Sequence, residues 1–229
     1  MMAEMRGIEI IDVESDVRKH TANDWDLIMS EKNIGLPAPR FVMVDMPDRD
    51  GELDHTDVMR GRVSYKNRTL SFSFICTSHQ STWAALVREI AGFVHGKRMK
   101  IIDPDDPWNY YIGRCTLGEP TYKGAAIMFL ELTVNAEPYR LNDFLTEVNY
   151  LITDPTADNT VTLLNDTMPV IPTLSVKGNM TLSFGTYSAT LTDGTYRLPG
   201  LVLKQGLNDI KITTEDIGSI RFRYRQGAI

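Results

Sequence analysis

Residues 68–76 alternate between apolar and polar side chains, and this alternation constrains the fold more than any other feature of the sequence. Leu70, Phe72, Phe74 and Cys76 fall on one face, whereas positions 69, 71 and 73 carry threonine or serine. Successive side chains of a β-strand point to opposite sides, so a period of two predicts a strand with one buried face. We expect its neighbour to be the short segment 63–65.

The rest of the first half predicts further strands and one helix. Segment 81–95 carries large apolar residues at helical spacing, with Ser78 or Ser81 available to cap its start and Gly96 its end. Strands are predicted at 41–44, 99–102, 110–115 and 126–134. The last of these is apolar on both sides at its centre, so we expect both of its faces to be covered.

Composition changes near Pro138, and the second half has a different spacing of apolar segments. Residues 141–151 are compatible with a short linker helix. From Thr160 onward, short apolar segments recur about every 8–12 residues between turn signals, which predicts an antiparallel sandwich. The predicted fold is therefore mainly β. Residues 1–140 form an N-terminal β-sandwich or barrel-like domain with one α-helix, and residues 141–229 form a C-terminal antiparallel β-sandwich domain.

Composition and charge exclude several classes of protein. Hydrophobic residues make up 42% of the chain and charged residues 24%, as in ordinary globular domains. The formal net charge of -6 argues against a dedicated nucleic-acid binder and against attraction to anionic membranes. The longest apolar stretch, 125–130, is too short to span a membrane. Cys76 and Cys115 lack the spacing of a disulfide framework or a zinc site, which fits a chain made in a reducing cytoplasm.

No arrangement of residues predicts catalysis, a cofactor or a metal. The four histidines, at positions 20, 55, 79 and 95, lack metal-site spacing. Asp103, Asp105 and Asp106 form the densest acidic cluster, but prolines stiffen this loop and no glutamate closes it. We expect a solvated connection there. The sequence therefore predicts a protein that is not an enzyme.

Three motifs in the first half resemble the distal tail (Dit) protein family of long-tailed, non-contractile bacteriophages. The first is the turn Pro47–Asp54 (PDRDGELD), and the second is the strand start Tyr65–Arg68 (YKNR). The third is the block 96–114. Its matching residues are Asp103, Pro107, Tyr110, Tyr111, Gly113 and Arg114. The resemblance covers about residues 30 to 140 and is only architectural beyond. The chain departs from the family pattern at Asp48, where glycine is usual.

The resemblance implies a structural virion protein that forms a homohexameric ring at the tail tip. Family members join the tail tube to the tail-associated hub or lysin protein and support host adsorption. The tape-measure protein and receptor-binding proteins are further implied partners. The C-terminal domain would be galectin-like, and the chain would be assembled in the bacterial cytoplasm. Genomic DNA must pass through such a ring, and a net-acidic protein would not hold its phosphates.

Two charged stretches are candidate interfaces in this reading. The turn 47–60 is too polar to form a core of its own and is a candidate arm that reaches a neighbouring copy. The final strand carries three arginines that fall on one face. This face is a solvent-exposed outer surface, a contact for an acidic partner, or a sheet edge protected against further strand pairing. The candidate interface residues are Arg49, Asp50, Glu52, Asp54, Arg60, Arg221, Arg223 and Arg225.

Two other functions stay open at the level of sequence. A carbohydrate-binding module for host adsorption would use the second domain, with Tyr187 and Tyr196 available to stack on sugars. More simply, these tyrosines pack across strands. A major tail-tube protein would share the β-rich composition but would stack into open polymers.

Overall fold

The alternating segment at 68–76 lies inside a large antiparallel sheet, and its four apolar residues at 70, 72, 74 and 76 are fully buried. The structure, a computed structural model, describes residues 7–58, 61–76, 78 and 80–229. Strands account for 53% of the residues, so the mainly β prediction is confirmed. Contacts between Cα atoms divide the chain into two compact units, one up to Arg140 and one from Leu141 onward.

The first unit is built on one antiparallel sheet and two α-helices. Its strands are β1 (Glu9–Asp12), β2 (Arg18–His20), β3 (Leu27–Ile34), β4 (Pro39–Arg40), β5 (Met43–Val44), β6 (Leu53–Asp54), β7 (Ser64–Tyr65), β8 (Arg68–Cys76), β9 (Arg98–Ile102), β10 (Asn109–Leu117), β11 (Thr121–Lys123) and β12 (Ile127–Ala136). The helices are α1 (Thr21–Trp25) and α2 (Trp83–Val94), the latter preceded by the 3₁₀ turn Gln80–Thr82. The main sheet has the order β2-β1-β9-β10-β12-β8-β3.

Helix α2 covers the buried face of this sheet. Its residues Trp83, Ile90 and Val94 are buried in the same core cluster as the apolar face of β8. The helix begins after Thr82, whose side chain makes no capping hydrogen bond to it, and the cap by Ser78 or Ser81 stays a prediction. Gly96 follows the helix with φ of 75°, a left-handed conformation that glycine adopts without strain.

Two predictions were wrong, one on the pairing partner of β8 and one on the coverage of its neighbour β12. The strand pairs with β3 and β12, whereas Ser64–Tyr65 pairs with Pro39–Arg40. Strand β12 is covered on one face only, because α2 packs against the side that already carries Met128. On the opposite side Phe129 is 37% exposed.

The second unit contains two four-stranded antiparallel sheets. Its strands are β13 (Arg140–Asn142, which begins at the last residue of the first unit), β14 (Thr146–Ile152), β15 (Asn159–Asn165), β16 (Thr173–Lys177), β17 (Met180–Phe184), β18 (Tyr187–Leu191), β19 (Gly194–Arg197), β20 (Gly206–Thr214), β21 (Gly218–Tyr224) and β22 (Gly227–Ala228). The sheet orders are β14-β21-β16-β19 and β15-β20-β17-β18.

Both sheets of the second unit contribute side chains to one core, as in a sandwich. Leu174 and Phe222 come from one sheet, and Leu163 and Ile210 from the other. The predicted linker helix at 141–151 was wrong, since these residues belong to β13 and β14. Alternate residues of β14 point inward from position 146 to Ile152, which is the strand period.

Candidate assembly surfaces

Residues 36–66, which we call the arm, leave the main sheet between two adjacent strands. Ile34 of β3 pairs with Leu70 of β8, so the arm is a long excursion within a β-hairpin. The arm holds itself together through two short pairings, β4 with β7 and β5 with β6. The N–H of Val42 donates to Thr56 Oγ1 at 3.0 Å, and the N–H of His55 donates to the Val42 carbonyl at 2.8 Å.

The arm exposes a run of apolar side chains. The exposed fraction is 63% for Phe41, 51% for Val42 and 45% for Met43, and Val44 and Met46 are also exposed. The segment 41–44 had been predicted as an ordinary strand, and only the polar turn after it as an interface. The structure shows that the apolar surface of the arm lies before the turn, with no core beneath it.

The predicted charged residues of the turn lie at the tip of the arm. Arg49, Asp50 and Glu52 are exposed. Asp54 accepts hydrogen bonds from Thr56, which hold the pKa of its carboxyl below the usual value. Arg60 lies outside the described residues.

Asp48, at the position where the family pattern has glycine, has φ of 62°. Aspartate is one of the few residues other than glycine that tolerates this left-handed region. The turn therefore keeps a conformation that glycine would also adopt.

Arg68 fixes the root of the arm. Its side chain is only 4% exposed. The Nε donates to the Gly35 carbonyl at 2.7 Å, one Nη donates to the Pro138 carbonyl at 3.3 Å, and the guanidinium lies 5.1 Å from the centre of the Tyr111 ring. Arg68, two positions after the end of the arm, is thus bonded to Gly35, the residue that precedes the arm. These contacts give a structural role to two residues of the motifs, Arg68 and Tyr111.

The acidic loop after β9 is largely exposed, but its first aspartate is buried and paired with a cation. The ammonium of Lys32 lies 2.5 and 2.7 Å from the two carboxylate oxygens of Asp103, which is 4% exposed, and 2.6 Å from Asp105. Burial lowers the pKa of Lys32, but the hydrogen bonds to both aspartates outweigh it, so the pKa is raised overall. Arg140 pairs with Asp106 at 2.8 Å. The expectation of a solvated loop holds for positions 104, 105 and 107, which are exposed, but not for Asp103, to which β3 supplies a cation from far along the chain.

Two of the histidines have structural partners, and none of the described side chains forms a metal site. His20 Nδ1 accepts from Asn23 N–H at the start of α1, and His95 Nδ1 accepts from Leu117 N–H. His55 lies in the arm, and His79 is outside the described residues. In the ranges that the structure covers, no group of three or more His, Cys, Asp or Glu side chains is placed to hold a metal ion.

Only two of the three arginines near the C-terminus share a face of β21. Arg221 Nε lies 2.8 Å from Asn149 Oδ1 and 3.3 Å from Glu147 Oε1, and Arg223 Nε lies 3.4 Å from Glu147 Oε2. The strand ends at Tyr224, and Arg225 donates instead to the backbone carbonyls of residues 142 and 143. The predicted stripe of three arginines was therefore wrong.

The two tyrosines considered for sugar stacking are packed into the second unit. Tyr187 and Tyr196 are half-buried against its core. The Tyr187 ring is so close to Gly200 that an added Cβ at that glycine would lie 2.2 Å from it. The Tyr196 hydroxyl donates to the Thr192 carbonyl at 3.2 Å. Both rings therefore have packing partners within the second unit, as the simpler interpretation expects.

In the described part of the chain, no helix is both long enough and apolar enough to cross a bilayer.

Comparison with known proteins finds a structural likeness. No family model matches the chain, and no curated protein sequence matches it. A similar solved structure is the crystal structure of the SPP1 Dit protein (gp 19.1), described as a paradigm of the hub adsorption apparatus in phages that infect Gram-positive bacteria. The sequences are 13% identical, the TM-score is 0.63, and the likeness covers 95% of this chain and 98% of that one. The chain therefore has a Dit-like fold.

Proposed function

We propose that this chain is a structural component of a phage tail tip, where copies of it assemble into a closed hexameric ring. The observation that carries the proposal is the arm, which exposes Phe41, Val42 and Met43 beside each other. The Dit-like fold and the motifs at 47–54 and 65–68 support the same role.

The arm needs a partner for physical reasons. An isolated two-stranded hairpin is at best marginally stable in water, and a contiguous exposed apolar patch marks an interaction site. Arg68 holds both ends of the arm on the main sheet, so its direction is set before any partner binds. A surface on one copy that contacts a different surface on the next gives a head-to-tail interface, and such an interface forms a ring when the rotation between neighbours closes and an open filament when it does not.

In this proposal the ring joins the tail tube to the tail-tip hub. The tail-tube protein and the hub or lysin protein would contact its two ends, and tape-measure and receptor-binding proteins are further partners. The charged tip of the arm, with Arg49, Asp50 and Glu52, would set the register of the contact through charge complementarity. Catalysis has no part in this role.

Particle mass and negative-stain imaging of the purified chain test the proposal. We expect a discrete hexamer with a central opening. Phe41→Asp places a charge in the apolar surface of the arm, and we expect it to abolish the hexamer while circular dichroism shows that the chain stays folded. The matched control is Leu207→Asp, because Leu207 is 73% exposed on a sheet of the second unit.

Each other result has a clear meaning. Open polymers of the natural chain would favour a tail-tube protein. A monomer at every concentration, or a hexamer that survives Phe41→Asp, would reject assembly through the arm.

A further inference from the structure

The outer face of the sheet β14-β21-β16-β19, which we call the groove face, is organised in rows across the strands. In the central row Arg221 pairs with Asn149 on one side and Ser175 on the other, and Ser175 pairs with Thr195. The neighbouring rows contain Glu147, Arg223, Thr173 and Arg197 on one side, and Leu151, Ser219 and Lys177 on the other. Each of the three rows therefore contains at least one cation beside short hydroxyl or amide side chains.

The groove face is concave and positively charged. A depression of about 610 Å³ lies over the central row, and a second of about 520 Å³ continues it past Leu151 and Lys177. Volumes of this size accommodate small-molecule ligands. The outward side chains of the four strands include four cations, Lys177, Arg197, Arg221 and Arg223, and one carboxylate, Glu147. Four minus one leaves a local charge of +3 on a chain whose net charge is -6.

Two polar side chains of the central row, Arg221 and Asn149, hold each other in place before any ligand arrives. Arg221 is fixed by its 2.8 Å contact to Asn149, yet half of its side chain is accessible. Glu147 lies between the two arginines and contacts both. At the end of the groove, Asp193 accepts from the N–H of Gly178 at 2.5 Å, which keeps this carboxylate engaged with the backbone.

The chemistry of the face favours a glycan over a protein surface. Aromatic side chains anchor many protein interfaces. No aromatic side chain points outward from these four strands, and the central row consists of one arginine among short hydroxyl and amide side chains. Hydroxyl-rich ligands match short Ser, Thr and Asn side chains, and acid groups match a guanidinium. Leu151 and Ile217, 69% and 72% exposed, offer an apolar lip for the non-polar face of a sugar ring.

We propose that the groove face binds an acidic polysaccharide, with Arg221 and Lys177 holding its acid groups and Asn149, Ser175 and Thr195 its hydroxyls. This activity does not depend on the ring. It also places a carbohydrate site on residues other than Tyr187 and Tyr196.

Isothermal titration of the full chain tests the proposal with three probes. The first is a short oligogalacturonate, the second is the same oligomer with its carboxylates methyl-esterified, and the third is an oligoglutamate peptide. We expect saturable binding of the oligogalacturonate, at least tenfold weaker binding of the ester, and no binding of the peptide.

Two matched variants locate the site. Arg221→Gln removes one cation from the groove face, and we expect about a tenfold loss of oligogalacturonate affinity. Lys211→Gln removes one cation from the outer face of the other sheet, where Lys211 is exposed and pairs with Asp158. We expect it to change the affinity by less than twofold.

The outcomes that overturn the proposal are specific. Absence of saturable binding of the oligogalacturonate would reject the proposal. Equal affinity for the methyl ester would mean that the cations do not hold the acid groups. Equal affinity for oligoglutamate would identify the face as a contact for an acidic protein. Equal losses for the two variants would mean non-specific charge attraction. All of these results are independent of hexamer formation, so failure here leaves the proposed tail-tip role standing.

Discussion

Phe72 shows how much stability a single core side chain supplies to the first unit. Its side chain is fully buried in β8, beside Leu132 of β12. We predict that Phe72→Ala lowers the free energy of unfolding by about 3–5 kcal/mol, because it removes apolar contacts and leaves a cavity. Denaturant unfolding measures the loss. Phe129→Ala is the control, since that ring is 37% exposed and should cost clearly less. A loss under about 1 kcal/mol for Phe72→Ala would mean that the core tolerates the cavity.

Cys115 makes stability depend on pH in the alkaline range. Burial raises the pKa of its thiol from 9.0 to about 12. The unfolded chain therefore loses this proton at lower pH than the folded chain. The contribution is complete below pH 9 and is lost as pH rises toward 12, by roughly 1.4 kcal/mol per pH unit.

The variant Cys115→Ala isolates this contribution from the other alkaline titrations. Unfolding curves of both proteins from pH 7 to pH 11 provide the measurement. We expect the stability difference between the natural chain and the variant to be constant below pH 9 and to shrink above it. A difference that stays constant to pH 11 would contradict the prediction.

Single residues also mark the limit of what the sequence reveals. The alternation of Leu70, Phe72 and Phe74 predicts their burial correctly, because the side-chain period is a property of the local backbone. Asp103 was predicted to be solvated, yet it is buried with Lys32, 71 positions away. No local pattern contains that pairing.

Gly113 and Gly92 have opposite surroundings, because Gly113 lies where two strands approach closely and Gly92 lies on an open helix surface. An added Cβ at Gly113 in β10 would lie 2.6 Å from Ala136 Cα in β12, whereas at Gly92 in α2 it would meet nothing within 4 Å. We predict that Gly113→Ala lowers the thermal unfolding midpoint of the first unit, because two backbones would have to separate. Gly92→Ala should raise the free energy of unfolding by about 0.5–1 kcal/mol, since alanine favours a helix interior. Equal effects of the two substitutions would reject this account.

At the scale of elements, helices and strands with a strong side-chain periodicity were predicted correctly, and segments with a weak periodicity were not. Segment 81–95 contains helix α2, and the predicted strand 110–115 lies within β10. Segment 141–151 was predicted as a helix, although Val148, Tyr150 and Ile152 alternate inward in β14. The polar residues between them are compatible with a helical or a strand period. The segment forms a strand because it pairs with β21.

At the scale of the whole molecule, the division near residue 140 predicts an independently folding second half. Residues 141–229 have their own core and two complete four-stranded sheets. We expect this fragment to unfold cooperatively by circular dichroism and denaturant titration.

A shorter fragment is the control for independent folding. Residues 141–214 lack β21, which lies between β14 and β16, so we expect no cooperative transition. Failure of the 141–229 fragment to fold would mean that the two halves stabilise each other.

The sequence by itself determined the fold class, most strand positions and the core faces of β8 and α2. Periodicity of side chains is local, and burying an apolar face dominates the stability of each element. Only the tertiary structure decided which strands pair, that Arg225 leaves the face of Arg221, and that the apolar residues 41–46 of the arm stay outside the core. These outcomes depend on contacts between segments far apart in the chain, and the same apolar run would be buried or exposed according to what packs against it.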